Sequence, residues 1–163
     1  MVLTANKLAS ELEAMVPVDT EAEGIDNFAT AFENYFYDAV VTAIPVNPLS
    51  LTNSTNALKG SMTGANVDAA AAIQEGIIAF WEQVAVDFAL IWTTAPVLIA
   101  VDPPTGLGGI AAALNPVFTS NKDLELDLAA SVAQIAAALH PTQLGGIATL
   151  GPPPPAGTPA PIL

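Results

Sequence analysis

From Leu128 to Leu163 the chain runs for 36 residues without an Asp, Glu, Lys or Arg, and His140 is the one titratable side chain in the stretch. A solvated monomer surface carries about 25–35% charged residues. A segment so poor in ionic groups must therefore be covered over much of its length, either by its own domain or by other subunits. Seven of the 14 prolines fall in the same stretch. The charges sit at the other end, where eight of the 16 acids lie within the first 40 residues. Only three lysines and no arginine oppose them, so the formal charge is −13.

Several function classes fall away on these grounds. Three scattered lysines, Lys7, Lys59 and Lys122, cannot neutralise a phosphate backbone, so no nucleic-acid partner is expected. Without cysteine there is no disulfide framework, thiol chemistry or Cys-type zinc site. A mean hydropathy of +0.52 is far too high for a disordered chain. The first residues, Met-Val-Leu-Thr-Ala-Asn-Lys-Leu, turn acidic without an apolar run, so no secretion signal is expected. The most membrane-like window, Val84 to Val101, is interrupted by Asp87, Thr93, Thr94 and Pro96 and flanked by Glu82 and Asp102. It reads as a buried core helix rather than a span with basic flanks. Asn53-Ser54-Thr55 matches a glycosylation acceptor but reads as a turn at a helix start.

Apolar periodicity predicts a mainly α chain, a compact bundle of about five helices over residues 1–140 followed by an extended Gly/Pro-rich arm over 141–163. Leu8, Leu12 and Met15 form one stripe. Thr20 and Glu23 have the capping-box spacing, in which hydroxyl and carboxylate each satisfy an orphan amide. Ile25, Phe28, Phe32, Phe36, Ala39, Val40 and Ala43 continue at three- and four-residue steps. Asn53 or Ser54 is expected to cap a short helix ending near Gly64, and Asn66 a long one from Val67 to about Thr94. Leu107 to Phe118 reads as a short helix cut by Pro116. Ser120 or Asn121 would cap the last helix, which Pro141 stops.

One motif recurs. Pro104-Thr105-Gly106-Leu107-Gly108-Gly109-Ile110-Ala111 returns 37 residues later as Pro141-Thr142-Gln143-Leu144-Gly145-Gly146-Ile147-Ala148. Pro-Thr sets a turn, Gly-Gly permits close backbone approach or positive φ, and the flanking Leu and Ile are anchors. Leu144, Gly145, Gly146 and Ile147, together with Pro152, Pro153, Pro154, Pro155, Ile162 and Leu163, are accordingly the expected interface residues. The arm would lie along a neighbouring subunit, with Ile162 and Leu163 filling a pocket at its tip.

Catalytic chemistry finds little footing. His140 is the single histidine, which excludes a multi-His metal site within one chain; at a helix end it is expected to bond a terminal carbonyl. Gly60-Ser61-Met62-Thr63-Gly64 misplaces its serine for a nucleophile elbow, and Gly106, Gly108 and Gly109 lack the Lys-Ser/Thr of a phosphate loop. Asp123, Glu125 and Asp127 lack the glycine and terminal glutamate of a calcium loop. Trp81, Phe80, Phe88 and Trp92 read as core or interface anchors. No catalytic residue, metal or cofactor is expected.

An acidic N-terminal helix, the segment Ile73-Gln74-Glu75-Gly76-Ile77-Ile78-Ala79-Phe80-Trp81, then His140-Pro141-Thr142-Gln143-Leu144-Gly145-Gly146-Ile147 and a Pro-rich end resemble small virion proteins of tailed bacteriophages. The resemblance implies a non-enzymatic structural or assembly subunit of the capsid, neck, tail or baseplate. Its partners would be other copies of itself and neighbouring virion proteins, its location the virion, assembled in host cytoplasm. A soluble helical binding adaptor and a membrane-active helical protein remain as alternatives.

Overall fold

The computed structural model describes residues 3–15, 19–37, 40–41, 44–45, 51–64, 68–91, 98–124, 127–150 and 158–162. The chain is mainly helical. Its helices are α1 (Ala5–Glu13), α2 (Glu21–Phe36), α3 (Thr52–Gly64), α4 (Ala69–Ile91), α5 (Ile110–Leu124) and α6 (Leu128–Leu139). Four start on a short polar side chain that accepts an orphan amide of the first turn. Thr4 Oγ1 takes the Lys7 N–H at 3.1 Å, and Thr20 Oγ1 takes that of Glu23 at 3.3 Å. Asp68 accepts from Ala71 at 2.9 Å and Asp127 from Ala130 at 2.8 Å. The capping box at Thr20 is half formed, because the Glu23 carboxylate takes the threonine hydroxyl proton at 2.9 Å. Asp127, not Ser120 or Asn121, caps the last helix; both of those lie inside α5. That helix also runs through Pro116. Pro116 and Ala112 are exposed, so solvent reaches the carbonyl that the missing N–H leaves unbonded.

The third helix has a different start. Its first-turn amides, Asn53 N–H and Ser54 N–H, point at the Asp87 carboxylate of α4, at 3.2 and 2.8 Å. The Asn53 side-chain amide and the Ser54 hydroxyl donate to the same carboxylate at 2.7 and 2.6 Å. Asp87 is fully buried, and four donors supply the solvation that water would have given. Asn53 and Ser54 are therefore recipients of a cap from another helix, and the glycosylation-like tripeptide is indeed a helix start. At the other end of this antiparallel pair Gly76 lies under Met62, where a Cβ would stand 2.6 Å from Met62 Cγ.

Aromatic rings bridge α2 and α4. Phe32 meets Phe80 edge to face at 5.0 Å, and Phe36 meets Phe80 and Trp81 in tilted or edge contacts at 5.2 and 5.1 Å. Leu8 and Leu12 of α1, Val132, Ala136 and Leu139 of α6, and Ile110 and Leu114 of α5 join the same core.

The chain also carries an antiparallel sheet that helical periodicity did not predict. Its order is β2-β1-β5-β4-β3, from β1 (Val40–Val41), β2 (Ile44–Pro45), β3 (Leu98–Asp102), β4 (Gly146–Leu150) and β5 (Thr158–Ile162). Two helix expectations give way to it. The stripe expected to continue through Ala43 stops at Phe36, and Val40 pairs with Pro45. The Val84–Val101 window ends in β3, where Val101 pairs with Ala148. Most of the described part of the expected arm lies in this sheet as well: β5 pairs with β4 along all five residues, from Gly146↔Ile162 to Leu150↔Thr158. Pro159 and Pro161 alternate, so both missing donors fall on one edge of the strand and a ladder on the other edge loses nothing. Residues 151–157 and Leu163 lie outside the described residues.

Replacing Asp87 by Ala strands the buried Ser54 amide and hydroxyl and unpairs the Asn53 amide, and we expect it to cost about 3 kcal/mol. Urea unfolding followed by tryptophan fluorescence measures this; a loss below about 1 kcal/mol would show that α3 does not depend on the buried carboxylate.

Candidate interaction surface

The second copy of the recurring motif is a clamp. At the end of α6, Thr142 Oγ1 donates to the Leu139 carbonyl at 2.6 Å, and Gln143 Nε2 donates to Thr142 Oγ1 at 2.7 Å. This fixes the Gln143 amide so that its Oε1 accepts the Trp81 indole N–H at 2.9 Å. Both side chains are buried, so each satisfies a polar group that would otherwise be stranded. Gly145 then turns the chain at φ +90°, a conformation glycine adopts without cost. Gly146 lies flat on the indole, where a Cβ would stand 2.8 Å from the ring. The first copy abuts the second: a Cβ on Gly106 would stand 3.1 Å from Thr142 Cα, and one on Gly146 would stand 3.6 Å from Pro104. The Gln74 side chain of α4 accepts the Ala111 N–H at 3.0 Å, which ties the start of α5 to the same helix.

This geometry sorts the expected interface residues. Leu144 and Ile147 point outward, 43% and 38% exposed, although both are large and apolar. Gly145 sets the turn between them. Gly146 is buried against Trp81, so its role is within the chain. Ile162 is fully buried in the chain's own core and is not the free tip of an arm. Pro152, Pro153, Pro154, Pro155 and Leu163 lie outside the described residues. On β4 the side chains alternate, with Gly146 and Ala148 inward and Ile147 outward opposite Asp102 of β3. Beyond β3 no further strand pairs among the described residues, so Leu98–Asp102 is the last strand of the described sheet. It contains neither lysine nor proline, but a register shift between Leu98 and Ala100 and the charge of Asp102 interrupt it.

The candidates for chemistry are occupied with structure. His140 Nδ1 faces the buried Tyr35 hydroxyl at 2.9 Å rather than a helix-terminal carbonyl as expected, and the Leu139 carbonyl is bonded by Thr142. Burial lowers the His140 pKa below its ordinary value and raises that of the Tyr35 phenol. A neutral Nε2–H tautomer lets Nδ1 accept the phenol proton. Asp127 is engaged as a cap, and Glu125 lies outside the described residues. Among the described residues no three His, Asp or Glu side chains gather as they would around a metal ion. No described helix is long and apolar enough to cross a membrane.

Sequence reasoning missed the Trp81–Gln143 bond and the Asp87 cap. The repeat marked Gln143 as the one polar departure from its first copy, where Gly106 stands. That difference was the available signal. No protein-family model matches the chain, and neither a curated protein nor a solved structure matches it.

Two predictions follow from the clamp and its neighbour. Gly146→Ala forces a methyl into the indole and is expected to destabilise by about 2 kcal/mol; Gly108→Ala meets nothing within 4 Å and should be neutral or slightly stabilising. Equal losses in chemical denaturation would remove the clamp account. For His140 the native pKa lies below the unfolded value of about 6.5, so the unfolded state binds the proton first. Stability should be full above that pH and decline as pH falls through it toward the depressed native value. His140→Gln should lack this component in urea titrations between about pH 7.5 and 5.5.

Proposed function

We propose that the chain is a non-enzymatic structural or assembly subunit of a bacteriophage virion or phage-like particle, docking other copies of itself and neighbouring virion proteins. The observation that carries the reading is the outward pair Leu144 and Ile147, seated on a charge-free segment beside β3. Exposed apolar side chains grouped on a charge-free segment mark contact surfaces more often than scattered ones do. The clamp beneath them supports the same reading, because a surface held rigid before docking loses less conformational entropy when it docks.

Charge placement adds to it. A formal charge of −13 opposes self-association, and that repulsion is weakest where ionic groups are absent. The charge-free β4–β5 part of the sheet, with Asp102 at the end of β3, is such a place. The exposed acids of α1 and α2, Glu13, Glu21, Glu23 and Asp26, would then stay in solvent. In a particle this division would leave one face docked and one face hydrated.

The test is the oligomeric state of the full chain by sedimentation velocity over a wide concentration range. Self-association is expected, and Leu144→Lys with Ile147→Lys should weaken it about tenfold or more while leaving circular dichroism unchanged. A wild-type chain that stays monomeric throughout, or a double variant that associates equally well, would sink this reading. Mass spectrometry of purified particles would then establish whether the chain is a stoichiometric virion component.

A further inference from the structure

A second surface lies among α2, α3 and α4, beside the acidic start of α2. Where the C-terminal end of α3 meets the start of α4, beside the start of α2, the structure has a groove of about 530 Å³. Its floor is Ile25, Phe28, Met62 and Ile73, and its rim includes the exposed Asp19 and Glu21. The volume is within the range of ligand-binding clefts, about 300–1,000 Å³.

The chemistry of the lining narrows the occupant. Among the described residues, the polar side chains at the groove are Asp19, Thr20 and Glu21. Thr20 is spent, since its hydroxyl accepts the Glu23 N–H and donates to the Glu23 carboxylate. No lysine lines the groove. Lys59 is paired with Asp26 at 2.9 Å and Lys7 with Glu11 at 2.6 Å. Asp19 and Glu21 have no cation partner among the described residues. An occupant must therefore offer apolar side chains to the floor and positive charge to the rim, a combination that amphipathic peptide segments with Lys or Arg supply. Met62 adds an adaptable wall, since its unbranched side chain repacks around different shapes.

We infer that this groove docks a basic, apolar segment of a partner protein, which inserts one or two large apolar side chains between α2, α3 and α4 and sets Lys or Arg against Asp19 and Glu21. The inference does not depend on the sheet surface or on a virion setting.

The experiment uses the full chain and two synthetic probes, a short Leu/Lys amphipathic helix and its Leu/Glu counterpart, with binding followed by calorimetry at physiological salt. Ala69→Trp fills the groove mouth from an exposed position without altering charge, and Asp19→Asn with Glu21→Gln neutralises the rim. The Leu/Lys probe should bind, each variant should weaken it about tenfold, and the Leu/Glu probe should not bind. If Ala69→Trp leaves Leu/Lys binding unchanged, the attraction is only that of net charge and the inference fails. It fails equally if the Leu/Lys probe does not bind or if both probes bind alike. Circular dichroism of the variants confirms that the fold is retained.

Discussion

The hydrogen-bonding side chains that α4 turns toward its neighbours hold the rest of the molecule in place. Gln74, Trp81 and Asp87 each satisfy a hydrogen-bonding group that another element leaves orphaned: the Ala111 amide at the start of α5, the Gln143 amide before β4, and the first-turn amides of α3. At 3.6 residues per turn, Gln74 and Trp81 fall on one face of the helix, and Gly76 and Asp87 on another. The first face registers the second half of the chain and the second face registers α3. The hydrophobic effect is non-directional and by itself sets register only loosely. The hydrogen bonds set it sharply, since a buried donor without its acceptor costs about 1–3 kcal/mol.

The exposed pair Leu144 and Ile147 depends on that arrangement. Their backbone is set by the positive φ of Gly145 and by the contact of Gly146 with the Trp81 ring, and the ring in turn is oriented by Gln143. A surface carried by a free arm would have to order itself at the moment of contact. Here the ordering is done by the core, and the two side chains are presented by a strand of a five-stranded sheet. The apolar groove is positioned by the same helices, at the end of the α3–α4 pair where Gly76 lets Met62 lie close. The two surfaces differ in chemistry: one is apolar and free of charge, the other apolar with an acidic rim.

Much of the helical framework is legible in the residues. The stripe Ile25, Phe28, Phe32, Phe36 is the buried face of α2, and Leu8 and Leu12 are the buried residues of α1. Such stripes can be read because a helix buries one face at a fixed period whatever it packs against. The strands were not legible for local reasons. Leu98–Asp102 is too short an apolar run to distinguish strand from helix, and Val40–Val41 continued the α2 stripe by coincidence of spacing. Thr158–Ile162 has proline at every second position, which reads as polyproline until a partner strand is present to make the alternation useful. Asn53 and Ser54 looked like caps because of their residue type, whereas the capping carboxylate comes from Asp87, in the following helix.

By itself the sequence determined where many of the apolar faces lie and how unevenly charge is distributed, with none of it after Leu128. These are properties of composition and short-range period, and they hold for any arrangement of the elements. Only the tertiary structure decided that β4 and β5 join one sheet, that Ile162 belongs to the core while Leu144 and Ile147 do not, and that a groove opens beside α2. Those outcomes depend on contacts between residues far apart in the chain, such as Trp81 with Gln143 and Val41 with Ile162. No local pattern encodes which distant group will satisfy a given amide or cover a given methyl.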